Sequence, residues 1–284
     1  LVAIDGTMLV IPSVAIHMNR SVNQHKEWKV QKDMLPLYGM TGAKTPFMDV
    51  IAAAAKVKAE DILAHDLIVY SRVPGTIWGE EREFISSPKL DDLQCAFACF
   101  RGFTQGQKEK YISVYALFDN EEVGSATSQG AGSTFLANTL ERLARSLGYS
   151  YDETMAMIAR SFMISADNAH SVHPNHPEYA DPVNRPVING GIVIKYSAAQ
   201  KYATNAFSAA YFKKLCKDHD IPTQTFTNHS DNPGGSTLGN ISNTVIAMPT
   251  VDIGLPQLAM HSSYETAGVK DTAYLVDAVT KFYE

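Results

Sequence analysis

Tyr111-Ile112-Ser113-Val114-Tyr115-Ala116-Leu117, followed by Phe118-Asp119-Asn120-Glu121-Glu122-Val123-Gly124-Ser125, is the stretch on which the reading of the fold turns. Its first half is apolar and β-branched and stops abruptly at acids and a glycine, the pattern of a buried strand ending in a loop at the carboxyl edge of a sheet. Ligand chemistry in open α/β sheets gathers at that edge. Two adjacent glutamates there repel each other in a dry site unless a cation lies between them or one holds a proton. A metal resolves the conflict. One glutamate then binds it and the other is left to take a proton from water, a division of labour that hydrolysis needs. The plainer reading is an acidic loop capping a helix that starts near Ser133.

Outward from this stretch, strands and helices alternate. Downstream, the spacing predicts helices over Ser133 to Leu147, with Leu136, Leu140, Leu143 and Leu147 on one stripe, and over Tyr151 to Phe162. Val187-Ile188 and Gly191 to Tyr196 read as a strand pair, Asn205 to Lys217 as a helix, and Thr223 to Phe226 as a strand. The turn Asp231 to Ser236 leads into a helix reaching about Met248, then a strand at Val251 to Leu255 and a terminal helix over Val269 to Tyr283. Upstream, Phe84-Ile85 precedes a helix marked by Leu93, Ala96, Phe97 and Phe100. Before a boundary near residue 75 the texture differs. Leu1 to Ile11 reads as a strand-turn-strand, Thr45-Pro46 opens a helix over Phe47 to Ala55, and Asp66 to Ser71 is strand-like. The alternation after Glu83 predicts an α/β fold, a mixed sheet with helices on both faces.

Composition narrows the function classes. A chain of 284 residues with 45% hydrophobic and 19% charged residues can bury a full core. Its net charge of -6, without any block of Lys and Arg interleaved with aromatics, argues against nucleic-acid binding. No apolar run approaches the roughly 20 residues that span a bilayer, so no membrane partner is expected. Cys95, Cys99 and Cys216 are odd in number and lie in apolar segments, which predicts reduced core thiols and a cytoplasmic setting.

The groups that can carry chemistry are Asp91, Glu121, Glu122, Asp167 and His261, each just after a strand or at a loop-helix junction. His261 closes the apolar run Gln257 to Met260, where a lone imidazole is ordinarily a hydrogen-bonded core residue; the acids around it shift the balance towards a ligand. Carboxylates with imidazole suit zinc, with manganese and cobalt as relatives, and the lack of a thiolate cluster argues against a structural zinc ribbon. His170, His173 and His176 are spaced by three, but Pro174 and Pro177 break any helix there, so they are expected on a loop rimming the site. The glycine-rich Asp231 to Gly239 lacks the Gly-Lys-Ser/Thr ending of a phosphate loop. Ser125 lacks the Gly-x-Ser-x-Gly elbow of a serine nucleophile.

Phe118 to Ser125 with Gln129 to Ser133, Ser87-Pro-Lys-Leu-Asp91, Ser165 to His170 with Val172 to Asn175, and Leu258-Ala-Met-His-Ser262 together resemble the M18 metallo-aminopeptidases, the aspartyl aminopeptidase family. The resemblance runs in order from Ile11 to the end. It implies a zinc-exopeptidase fold in which Asp91 bridges two zinc ions, Glu122 and His261 complete one, Asp167 serves the other, and Glu121 is the general base. It further implies that Lys195 at the site opening meets an acidic substrate side chain, with His170 also on the substrate side, and that His17 reaches a neighbouring subunit's site. Read without the family, Lys195 is a solubilising lysine on an edge strand. Residues 1–75 correspond to the later part of an inserted, β-rich oligomerisation domain that builds dimers and a dodecamer, and residues 76–284 to the catalytic domain. The chain opens on Leu1 rather than Met, so upstream residues are expected to be missing. The family's further histidine ligand, in a His-x-Asp segment, would lie among them. Asp92 stands where relatives often carry Asn, which adds a negative charge beside the bridging carboxylate.

The activity that follows is zinc-dependent removal of an amino-terminal residue, preferably Asp or Glu, from peptides. Alternatives are a preference for neutral amino termini, a catalytically incomplete piece that only oligomerises, and a two-metal phosphoesterase.

Overall fold

Residues Leu1–Arg72 and Val73–Glu284 form separate units in a computed structural model that describes every residue except Asp5, His25, residues 107–110 and Pro233. In the first unit, helix α1 (Val30–Asp33) is a single turn, and α2 (Phe47–Ala55) buries Ile51 and Ala52. Helix α2 starts after Pro46, whose fixed φ suits the entry, and Tyr38 packs edge-on against Phe47 with ring centroids 5.1 Å apart. The strand-turn-strand expected over Leu1 to Ile11 does not form among the described residues, Asp5 lying outside them. Val10 instead makes one isolated antiparallel bridge to Leu37. Asp66 to Ser71 joins no strand either. Among the described residues of 1–75 the expected β-rich texture is limited to that bridge, because β propensity becomes a strand only where a partner supplies a ladder.

The second unit holds the mixed α/β architecture. Its elements are β1 (Thr76–Trp78), β2 (Phe84–Ser87), α3 (Leu90–Gln105), α4 (Phe135–Ser146), α5 (Tyr151–Ala159), β3 (Met163–Ala166) and β4 (Ala169–His170). There follow β5 (Ile192–Lys195), α6 (Ala206–Asp218), β6 (Thr223–Phe226), α7 (Leu238–Asn243), β7 (Thr250–Gly254), β8 (Pro256–Leu258), β9 (Glu265–Gly268) and α8 (Val269–Phe282). One sheet has the order β3-β7-β5-β6, with β3/β7 and β5/β6 parallel and β5/β7 antiparallel. The other runs β1-β2-β9-β8-β4, antiparallel except for the β4/β8 pair.

Alternation decides what each face of the first sheet touches. Ile192, Ile194, Val251 and Ile253 point into a core with Cys95 and Ala98 of α3, Phe212 and Cys216 of α6, and Leu275 and Val279 of α8. Burying a side chain such as Phe212 or Leu275 fully is worth about 1.5–3 kcal/mol. Asp252 and Ser165, on the opposite face, meet α7, where a Cβ on Gly239 would lie 2.4 Å from the Asp252 carboxylate. Helices thus flank both faces. Gly102 serves the α3/α8 crossing in the same way, since a Cβ there would fall 2.6 Å from the Val279 side chain. All three cysteines are free thiols.

Several boundaries follow local chemistry. Ser150 and Glu153 form a reciprocal capping box that starts α5, and Asn205 with Ser208 does the same for α6. Strand β6 has the bounds expected from sequence, and β5, β7 and α8 lie within a residue or two of them. Helix α7 stops at Asn243 rather than near Met248, and Val187-Ile188 joins no strand. Of the α4 stripe, Leu136 is buried while Leu143 and Leu147 are exposed.

The run on which the sequence reading turned behaves differently from expectation. Tyr111 to Leu117 forms no ladder among the described residues, and Tyr111, Ile112 and Leu117 are exposed. It is held by side chains instead. The Tyr115 hydroxyl donates to the Ala96 carbonyl at 2.9 Å, its ring stacks on Phe103, and the Tyr283 hydroxyl donates to the Val114 carbonyl. Composition records what a segment would do in a ladder, and pairing additionally needs a neighbour in register.

Candidate metal centre

The two sheets bring the expected acids together by topology. Strands β2 and β8 both run antiparallel to β9, so their carboxyl ends meet at the start of β9. Asp91 follows β2 and His261 follows β8; β4, parallel to β8, delivers His170 to the same edge. Asp167 sits between β3 and β4. Glu121 and Glu122 lie on a 3₁₀ turn, Glu121–Val123, flanked by Asn120 at φ +59° and Gly124 at φ +100°. That Gly124 conformation is open to glycine at little cost.

The centre is compact. His261 Nε2 is 3.0 Å from Asp91 Oδ2 and 3.0 Å from Glu122 Oε2. Donor atoms of Asp91, Glu122 and His261 lie within 4.8 Å of one another, as do those of Asp91, Asp92 and Asp167. Asp91 belongs to both groups, the position a bridging ligand needs. Asp92 is a member that the sequence reading treated only as a neighbouring charge. Its signal was the acid doublet itself, but helical periodicity would have turned one of the two away; Asp91 and Asp92 have non-helical φ/ψ and a cis peptide between them.

The electrostatics call for a cation. Burial, then the Asp167 and Glu122 carboxylates, push Asp91 up to about 8. Burial, then Asp167, raise Asp92 well above the usual carboxylate range. Burial, with Asp167 and Glu122, brings Glu121 up to about 7. The charge that troubles Asp91 thus comes from Asp167 and Glu122, and Asp92 acts on the cluster chiefly as a buried acid of its own. Asp91 Oδ1 is buried with no hydrogen-bond partner. An orphaned carboxylate oxygen, a mixed carboxylate and imidazole donor set, and mutual repulsion among buried acids fit a divalent metal such as zinc.

Lys195 stands in a different place from the one expected. Its side chain is 3% exposed, so it is not a solubilising edge lysine. Its ammonium donates to Asp167 Oδ2 at 3.1 Å and to the Asn168 carbonyl at 2.7 Å. Burial works against that charge, and the Asp167 carboxylate overrides it and holds the ammonium protonated. The close approach depends on Gly254, where a Cβ would fall 2.0 Å from the Asp167 carbonyl and 3.0 Å from Lys195 Cε. Asp92 Oδ1 accepts from the Asn168 amide at 3.0 Å, and Asn168 in turn donates to Gln94, so the turn carrying Asp167 is tied to α3. Gly254 gave no signal in the sequence, and Asn168 stood there only as a member of the Ser165 to His170 motif.

His170 is exposed, with its ring edge-on to Phe226 at 6.1 Å. His173 and His176 lie on a loop before a 3₁₀ turn at Pro177–Tyr179, as the prolines predicted. His17 lies in the other unit, exposed on a turn in which the Met18 amide donates to the Ala15 carbonyl at 2.9 Å. No helix of the described residues is long and apolar enough to cross a membrane.

A fold of mixed sheets with a carboxylate and imidazole cluster at the strand ends defines a metallopeptidase class, and comparison with known proteins makes it specific. Residues 1–283 match the family described as aminopeptidase I zinc metalloprotease (M18), and the chain belongs to that family. A probable M18 family aminopeptidase 2 of Clostridium novyi is 45% identical over 287 residues, covering 100% of this chain and 66% of the relative. Aspartyl aminopeptidase 4 of Saccharomyces cerevisiae is 34% identical over 323 residues, with the same coverage of 100% and 66%. Among solved structures, a chain in the complex of Ape4 and Nbr1 superposes with a TM-score of 0.87 at 31% identity, covering 99% of this chain and 58% of that one. The mApe1 dodecamer of Saccharomyces cerevisiae gives 0.79 at 25% identity, covering 97% of this chain and 62% of that one. The chain therefore spans about two thirds of the length of the curated relatives it matches, 66% in both cases above.

Proposed function

We propose that this chain carries the catalytic centre of a zinc-dependent aminopeptidase that removes amino-terminal residues, preferably Asp or Glu, from peptides. The observation that carries the reading is the placement of His261 Nε2 at 3.0 Å from carboxylate oxygens of both Asp91 and Glu122, contributed by three separate segments. Asp91, Glu122 and His261 would hold one zinc, and Asp91, Asp167 and the adjacent Asp92 a second. When bound, zinc supplies a Lewis acid for the scissile carbonyl and lowers the pKa of the attacking water. Glu121, brought up to about 7, takes a proton from that water and hands it to the leaving amine. Donor types that suit zinc also accommodate manganese or cobalt.

Support for the acidic preference comes from Lys195 and from the name of the yeast relative, an aspartyl aminopeptidase. The Lys195 ammonium, bonded to Asp167 and the Asn168 carbonyl, sets a positive charge beside the acids, the sign that attracts a substrate carboxylate. His170 lines the substrate side. The dodecameric relative supports homo-oligomeric assembly, in which His17 of one subunit would serve a neighbour's site.

The test measures bound metal by elemental analysis together with hydrolysis of an Asp-linked chromogenic amide, before and after zinc addition. Two metals per chain, zinc-dependent turnover, and a loss of about 10²–10⁴-fold in kcat for Glu121→Gln with metal retained are expected. A chain that binds no metal, or a Glu121→Gln variant as active as wild type, would sink the reading. Faster hydrolysis of a Leu-linked amide would instead assign a neutral preference.

A further inference from the structure

Glu265 is assigned no role by the reading above, yet it touches both sides of the metal centre. It opens β9, the strand between β2 and β8 in their sheet, and is 2% exposed. Its Oε2 accepts from the Asp91 amide at 2.9 Å, and its Oε1 accepts from the His261 amide at 2.7 Å. One buried carboxylate thus spans two ligand-bearing segments that lie 174 residues apart for Asp91 and 4 residues apart for His261.

Both segments need such a tether. His261 has φ +66° and Ala259 φ +58°, left-handed values that cost a residue with a Cβ, so the loop persists only where surroundings fix it. The His261 side chain is 66% exposed and pairs with Asp91 and Glu122, so burial does little to place it. Asp91 lies in non-helical backbone at the head of α3. Charge-assisted bonds to backbone amides are the strong kind, and a carboxylate with both oxygens engaged fixes distance as well as direction.

We infer that Glu265 is a positioning residue whose two oxygens set the separation of Asp91 and His261 and thereby prepare the centre for a divalent cation. The inference rests on the metal reading of that centre. Glutamine cannot replace the carboxylate, because its amide presents an N–H₂ to one of the two backbone donors. Partners one step removed from a metal orient its ligands, and altering them weakens metal binding about 10–100-fold.

The experiment titrates zinc into metal-free wild-type chain and Glu265→Gln, following heat, with circular dichroism and melting temperature recorded on the same metal-free samples. The expected result is zinc affinity lowered about 10–100-fold in a variant with the wild-type spectrum, and saturation at the wild-type stoichiometry once zinc is in excess. A folded Glu265→Gln chain that binds zinc with wild-type affinity, whatever its melting temperature, would overturn the inference and leave Glu265 as structural alone. Should the variant not fold, hydrogen exchange on the wild-type chain decides. The Asp91 and His261 amides are expected to be protected without metal, and exchange at the rate of free loop amides would overturn the clamp. A wild-type chain that takes up no zinc while both amides stay protected would remove the metal reading and leave the clamp as a loop anchor.

Discussion

The centre has a fixed wall and a loose flap. Asp91, Asp167 and Lys195 on the wall are 3%, 13% and 3% exposed; Lys195 and Asp167 bond each other, and the Asp91 amide bonds the buried Glu265 carboxylate. On the flap, Glu122 is 48% exposed and Val123 75% exposed, on a single 3₁₀ turn between two left-handed residues. The wall carries its acids ready placed, at the cost of mutual repulsion. The flap carries the proposed base and one ligand on an exposed turn, tied at its base by the Ser125 amide donating to the Asn120 carbonyl. Structures of this kind hold the scaffold of a site rigid and leave the low-stability end for groups that adjust when ligand arrives.

The sharpest way to break the comparison is on the wall. Gly254→Ala places a Cβ 2.0 Å from the Asp167 carbonyl, with backbone rather than a flexible side chain to displace. A loss of about 3 kcal/mol, the upper end for overpacking, is expected in chemical denaturation, and a variant within 0.5 kcal/mol of wild type (about the scatter of neutral surface changes) would show the wall to be pliant.

A smaller effect comes from the back of the wall. Asp271, fully buried, accepts from the Asn189 and Gly191 amides and so fixes the entry to β5, the strand that carries Lys195. Burial pushes it up to about 6 from an ordinary 3.8. A carboxyl that binds its proton more tightly folded than unfolded favours the folded state below the unfolded value, and stability is lost as pH rises through the window between the two. Across pH 4 to 6 the loss attributable to Asp271 is about 2–3 kcal/mol at 1.36 kcal/mol per unit. Denaturation curves of wild type and Asp271→Asn across that range should therefore converge or diverge by that amount, and parallel curves would refute the assignment.

The smallest effect belongs to the flap. Val123→Ser removes an exposed methyl pair from the turn, and stability is expected to change by less than about 0.5 kcal/mol. A larger loss in thermal unfolding would mean the flap is packed as firmly as the wall, and the contrast would fail.

Most of the elements were legible. Helical spacing gave α3 and α4, and the sequence also placed α5, α6, α8, β6 and β7 close to where they form; the capping boxes that start α5 and α6 became visible only in the structure. The failures share one cause. Tyr111 to Leu117, Leu1 to Ile11 and Asp66 to Ser71 all have strand composition, and none finds a ladder among the described residues. Lys195 failed in the opposite sense. A lysine at the end of an apolar run reads as a solvent-facing terminator, and only the arrival of Asp167 from 28 residues away accounts for an ammonium with 3% exposure.

By itself the sequence determined that Asp91, Glu121, Glu122, Asp167 and His261 fall at turns and element ends, and so which groups were candidates for metal chemistry, because turn signals, alternation and acid placement are local properties of the chain. Only the tertiary structure decided that Asp92 joins the acids, that Lys195 is turned inward onto Asp167, and that Glu265 ties the amides of Asp91 and His261 together. Those relations join segments up to 174 residues apart through sheet order, and sheet order is set by which strands bury their faces together rather than by anything written at one position.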